Sequence, residues 1–122
     1  MTRDRQLLGE EGERLAARFL EERGYRIVAR RWRGAGREID LVVETADVVA
    51  FVEVKTRRSP LAPPVTAVDW RKRRQLAAAA LAASERWRNR AFRFDVVSVE
   101  FVPEGPRIEH FADAFRLGEG RG

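Results

Sequence analysis

A small α/β domain is the fold that this sequence predicts, from three observations. An amphipathic segment at helical spacing lies near the start, three strand-like segments follow it, and a second helical stretch leads into another apolar strand. With 122 residues, 44% hydrophobic and 35% charged, the chain is long enough for one core and too short for two. Residues 1–117 are therefore expected to form a single domain, and the glycine-rich 118–122 a disordered tail.

The first helix runs from about Gln6 to Arg23, where Leu8, Leu15, Ala16, Phe19 and Leu20 recur at helical spacing. Gly24 suits the left-handed residue that closes a helix. Tyr25 to Arg33 is rich in strand formers, Gly34-Ala35-Gly36 is a turn signal, and Arg37 to Thr45 alternates charged with apolar residues. Two antiparallel strands follow. From Asp47 to Thr56 the residues are nearly all apolar until a charged end, as expected of a strand covered on both faces. Arg57 to Pro64 is a proline-containing loop, and Thr66 with Asp69 resembles a capping box that opens a second helix reaching about Arg88. Val68, Lys72, Leu76, Ala79, Ala80, Ala83 and Trp87 share one face of it. Ala91 to Phe101 is a fourth strand, and Arg107 to Phe111 is a short fifth.

Zero cysteines leave no disulfide, no thiol nucleophile and no zinc-thiolate site, which fits a reducing compartment. The absence of an 18-residue apolar run or a secretory leader pattern adds an expectation of cytoplasmic location and no membrane partner. A formal net charge of +5 attracts phosphate backbones at low salt. Of 24 basic residues only Lys55 and Lys72 are lysines. Where arginine serves nearly everywhere else, these two mark places that call for a compact ammonium.

Strand alternation puts Glu38, Asp40 and Val42 on one face, and Ile39, Leu41 and Val43 on the other. By the same rule Phe51, Glu53 and Lys55 share a face of the next strand, so a hairpin brings Asp40 opposite Glu53 and Lys55. Paired carboxylates at the ends of buried strands repel each other unless a cation lies between them. Mg²⁺ suits such hard oxygen ligands, and Mn²⁺ can replace it. Lys55 would orient or help deprotonate an attacking water and offset the charge of a pentavalent phosphoryl transition state.

Asp40 followed by Glu53-Val54-Lys55 resembles the PD-(D/E)XK nuclease motif. Gly12-Glu13, Glu38-Ile39-Asp40-Leu41-Val42, Phe51-Val52-Glu53-Val54-Lys55-Thr56-Arg57, Lys72 and Arg93-Phe94-Asp95-Val96-Val97 extend the likeness to the small bacterial YraN-like family, over about residues 6–102. Its members are predicted endonuclease-like proteins, similar in fold to archaeal Holliday-junction resolvases. The resemblance implies a restriction-endonuclease-like αβββαβ core, with a mixed central sheet flanked by helices. It also implies Asp40 and Glu53 as metal ligands, Lys55 as catalytic lysine, and Glu13 as a further catalytic acid and ligand from the first helix.

A nuclease of this type would place Lys72 and Gln75, in the first turns of the second helix, on substrate or against Lys55. Arg57, Arg58, Arg71, Arg73 and Arg74 flank the cluster in sequence as a basic rim for phosphate contact. Glu38 is expected to pair with a neighbouring arginine, and Asp95 to form a structural ion pair with Arg93 or another arginine. Trp32, Trp70 and Trp87 are read as packing residues, and His110 as a surface residue.

These features predict a metal-dependent endonuclease acting on DNA ahead of RNA, with branched or structured DNA suggested by the resolvase likeness. A homodimer would then supply paired cuts. The alternative is a nucleic-acid-binding module that keeps the nuclease fold without cleaving.

Overall fold

The structure, a computed structural model, describes residues 2–34, 37–58, 74, 77, 78, 86, 87 and 90–115. One helix, α1 (Thr2–Glu22), precedes strands β1 (Arg26–Gly34), β2 (Arg37–Glu44), β3 (Val48–Arg57), β4 (Ala91–Val102) and β5 (Gly105–Phe115). The strands form one mixed sheet in the order β1-β2-β3-β4-β5, parallel only between β3 and β4. A parallel pair needs a long crossover, and the 33 residues between Arg57 and Ala91 supply its length. Within it Arg74, Ala77 and Ala78 are helical, while most of the expected second helix, with Lys72, Gln75, Arg71, Arg73 and Trp70, lies outside the described residues. So do Ala35 and Gly36 of the expected turn and residues 118–122.

Helix α1 starts four residues earlier than its apolar spacing indicates, and it ends as expected. Gly24 takes φ +95°, its N–H bonds Glu21 O, and Tyr25 N–H bonds Leu20 O. That is the six-to-one and five-to-two pairing of a glycine-closed helix end. The buried face Ala16, Ala17 and Leu20 packs with Leu41, Val43, Ala50, Val52, Val97 and Val99 on one side of the sheet. Val42, Val49, Phe51, Phe94 and Val96 occupy the other side with Ile39, Trp32 and Trp87. Strand β3 is thus covered on both faces, and each fully buried aliphatic side chain contributes about 1.5–3 kcal/mol. Trp32 and Trp87 pack ring to ring with centroids 5.8 Å apart, which accounts for both as core residues. Among the described residues no helix is long and apolar enough to cross a membrane.

Strand β5 is longer than the segment Arg107 to Phe111 expected from its composition. Pro106 and Asp113 look like strand breakers, but β5 is an edge strand, where a missing ladder donor and a bulge are both tolerated. Asp113 takes φ +55°, near the register shift between Phe94 and Val96.

This extension corrects the surface placement of His110. Its side chain is 9% exposed, and Nε2 lies 2.7 Å from Asp95 Oδ2. Arg93 donates from Nε and Nη2 to the two Asp95 oxygens at 2.8 Å each, and also to the Tyr25 hydroxyl at 2.6 Å. Asp113 N–H donates to Asp95 Oδ1. Burial works to raise the Asp95 pKa, yet the bonds from His110, Arg93 and Asp113 N–H outweigh it and hold the carboxyl below its ordinary range. The expected Asp95–Arg93 ion pair is therefore present, inside a larger network that joins β4, β5 and Tyr25, the residue just before β1.

Candidate active site at the open end of the β2–β3 ladder

The β2–β3 register runs Glu44↔Val49, Val43↔Ala50, Val42↔Phe51 and Leu41↔Val52, and its pairing stops there. One step further along the same register, Asp40 stands opposite Glu53. In place of a ladder bond, the Asp40 side chain reaches across: its Oδ2 accepts the Val54 N–H at 2.8 Å. The backbone of β3 thereby orients one carboxylate through a charge-assisted bond.

Glu53 and Lys55 follow Phe51 in the strand alternation, as expected, and Glu53 Oε2 lies 3.4 Å from Lys55 Nζ. The Glu53 side chain is 8% exposed and that of Lys55 30%, so a buried acid is joined by an ammonium that still reaches solvent. Valines 52 and 54 take the α1 side. The arrangement is two carboxylates and one amine at the end of a buried strand.

The expected regular alternation of β2 does not extend to Ile39. Instead of sharing a side with Leu41 and Val43, Ile39 packs with Val42, Val49 and Phe51. Its cross-strand neighbours on β1 share the irregularity. Arg30 pairs with Leu41 and Trp32 with Ile39, which leaves Arg31 facing Asp40, and Arg31 takes φ +49°. A left-handed residue inside a strand turns the following side chain to the other face, which matches the joint appearance of Trp32 and Ile39 in the Phe51 cluster.

Glu13 comes to this region from α1. A Cβ on Gly12 would sit 2.1 Å from Thr56 Oγ1, so only glycine lets this turn of the helix approach the strand next to Lys55. Glu13 Oε1 accepts a bond from Arg31 Nε at 3.1 Å. Among the described residues no three histidine, cysteine, aspartate or glutamate side chains group closely enough to hold a metal ion. The structure thus joins Lys55 to Glu53, ties Asp40 to the β3 backbone at Val54 between them, and leaves Glu13 with Arg31. Glu38 pairs with Arg33 at 3.3 Å, as expected. Arg57 closes β3, Arg58 beyond it is exposed, and Arg74 is an exposed helical residue.

Two groups escaped the sequence reading. Arg31 carried a legible signal, because counting back from the Gly34-Ala35-Gly36 turn places it across from Asp40. Buried Glu44, held by both Arg26 and Arg90, carried none: Arg90 lies 46 residues away in the chain.

The model of the family described as "Uncharacterised protein family UPF0102" matches residues 12–99, a span that includes Glu13, Asp40, Glu53 and Lys55. A UPF0102 protein of Nitratidesulfovibrio vulgaris is 44% identical over 122 residues, covering 97% of this chain and 90% of the relative. One from Anaeromyxobacter dehalogenans is 46% identical over 120 residues, covering 96% and 89%. A third, from Geobacter metallireducens, is 44% identical over 113 residues, covering 90% and 93%. With the matched span running from α1 into β4, the chain belongs to the uncharacterised protein family UPF0102.

Proposed function

We propose that the chain is a metal-dependent endonuclease that hydrolyses phosphodiester bonds in DNA, with branched or structured DNA as the favoured substrate class. The observation that carries this reading is the Asp40 carboxylate bonded to the β3 backbone at Val54, between Glu53 and its partner Lys55 in the strand. A site for binding alone gains nothing from acids beside a phosphate. The donor set suits Mg²⁺ or Mn²⁺, which bind through one or two carboxylates and complete their shell with water and phosphate oxygens. When bound, such an ion supplies a water of lowered pKa and polarises the phosphoryl oxygen.

The chain's own residues do the rest. Asp40, fixed by the Val54 N–H, and Glu53, fixed within β3, would be the ligands. Lys55 Nζ, on the same face and partly open to solvent, would orient the attacking water and offset charge on the phosphoryl oxygens. Arg57, Arg58 and Arg74 would bind flanking phosphates, which position a duplex without reading its sequence. Lys72, Gln75 and Arg71 remain candidates for the same contacts.

The alternative of a nuclease-like fold that binds nucleic acid without cleaving draws on one observation: Glu13 is held by Arg31 rather than grouped with the other acids. One assay separates the two. Labelled single-stranded, duplex, flap and four-way-junction DNA and structured RNA are incubated with wild type or Asp40→Asn in Mg²⁺, Mn²⁺ or EDTA. Metal-dependent cutting, lost by a factor of at least about 10² in the variant, is expected when a group essential to the transition state is removed. Binding without cutting by both proteins would leave the non-cleaving module.

A further inference from the structure

The turn end of the β2–β3 hairpin, away from Asp40, holds a second group of charges. Arg26 opens β1, Glu44 closes β2, and Arg90 directly precedes β4. Glu44 Oε2 accepts a bond from Arg26 Nη2, and Oε1 accepts one from Arg90 Nη1, so one buried carboxylate holds two guanidinium groups. Burial works to raise the Glu44 pKa, but the bonds from Arg90 and Arg26 outweigh it and keep the carboxyl below its ordinary range. Two cations on one anion leave one positive charge over. Arg90 is further set by the turn: Ala91 N–H donates to Asp47 O at 3.2 Å, and Arg90 Nη1 also reaches Thr45 O at 3.4 Å. With Gly24, Thr45 and Ala46, the three charged residues line an open pocket of about 380 Å³. Among its described lining residues Glu44 is the only acid, and the arginines engage both of its oxygens. Donors remain, because each guanidinium has more N–H groups than Glu44 uses. Thr45 Oγ1 accepts the Asp47 and Val48 N–H groups at 3.3 Å each, which leaves its own hydrogen to donate.

We propose that this pocket binds a phosphate group, gripped by Arg26 and Arg90 while Glu44 holds the two guanidinium groups in position. A tetrahedral anion with several acceptor oxygens matches walls that are forked, rich in donors and positively charged. Arginines already tethered by a buried acid lose less side-chain freedom on binding than untethered ones. Glu44 stands four residues along β2 from Asp40, about 13 Å at strand spacing. The pocket is therefore separate from the candidate cleavage site, and the inference does not depend on that site. The phosphate belongs either to a nucleic-acid backbone or to a small phosphorylated molecule, and the same contacts serve both.

The test is two-dimensional NMR of the full ¹⁵N-labelled chain, titrated with inorganic phosphate, thymidine monophosphate and a short DNA duplex, each against sodium chloride of matched ionic strength. The phosphate-bearing probes are expected to give saturable shifts at the Gly24, Thr45 and Ala46 amides that chloride does not give. Arg90→Gln and, separately, Arg26→Gln should weaken that binding about tenfold, the scale of a lost charge-assisted bond. The Arg26 side chain is 76% exposed, so its replacement disturbs little packing and keeps the test alive if Arg90→Gln fails to fold. Arg107→Gln removes the same charge from the exposed β5 edge and should leave the binding unchanged. Tighter binding of the duplex than of the nucleotide at these amides assigns the pocket to a nucleic-acid backbone, and the reverse assigns it to a small phosphorylated molecule. No saturable shift at these amides with any of the three probes, or equal weakening by Arg107→Gln and Arg26→Gln, would overturn the inference.

Discussion

Asp95 and Glu53 are buried carboxylates on neighbouring strands, one register step apart: Asp95 pairs with Val52, and Val96 with Glu53. They are treated in opposite ways. Asp95, on the α1 side, is enclosed by Arg93, His110 and the Asp113 N–H, and its charge is answered within the fold. Glu53, turned to the other side, has Lys55 at 3.4 Å but also stands across the opened ladder from Asp40. One carboxylate closes a network and the other joins a second acid. Structure alone explains the first. The second belongs to the site proposed to hold a cation.

The contrast can be broken most forcefully at Asp95. Asp95→Asn leaves the mostly buried Arg93 without its charged partner, and chemical denaturation is expected to show a loss of about 3 kcal/mol. A loss below about 1 kcal/mol would mean that the network is no more than a solvated surface pair. Acid sharpens the same point. Because the folded carboxyl of Asp95 is held below its ordinary pKa, its contribution is present above the unfolded value of about 4 and fades as pH falls through the folded one. The stability gap between wild type and Asp95→Asn, measured by urea titration at successive pH values, should therefore narrow below about pH 4. A gap that persists at low pH would assign the effect to shape rather than charge.

Much of this was legible in the residues themselves. The Gly24 closure of α1, the buried strand β3 and the antiparallel β2–β3 pair follow from spacing, alternation and one hairpin, all of which act over short stretches of chain. What escaped is non-local or conformational. His110 reads as a lone surface histidine until β5 is extended past Pro106 and folded back on β4, which sets it against Asp95. The reversal at Ile39 occurs opposite a stretch of β1 that contains a positive φ at Arg31, and nothing in the arginine side chain signals that backbone state. The Arg26–Glu44–Arg90 contact joins segments that only the finished sheet brings together.

The division between the two acids predicts a small effect in the absence of metal and a distinctive one in its presence. Asp40→Asn relieves like charge and can keep the Val54 N–H bond through its amide oxygen, so its stability should stay within about 1 kcal/mol of wild type. The most direct measurement is the thermal midpoint of wild type and Asp40→Asn with and without millimolar Mg²⁺, read by circular dichroism. Wild type is expected to gain several degrees from the ion, because an ion that binds the native state stabilises it, and Asp40→Asn is expected to gain little. An equal gain in both proteins, or none in either, would contradict the assignment of Asp40 and Glu53 as a cation site.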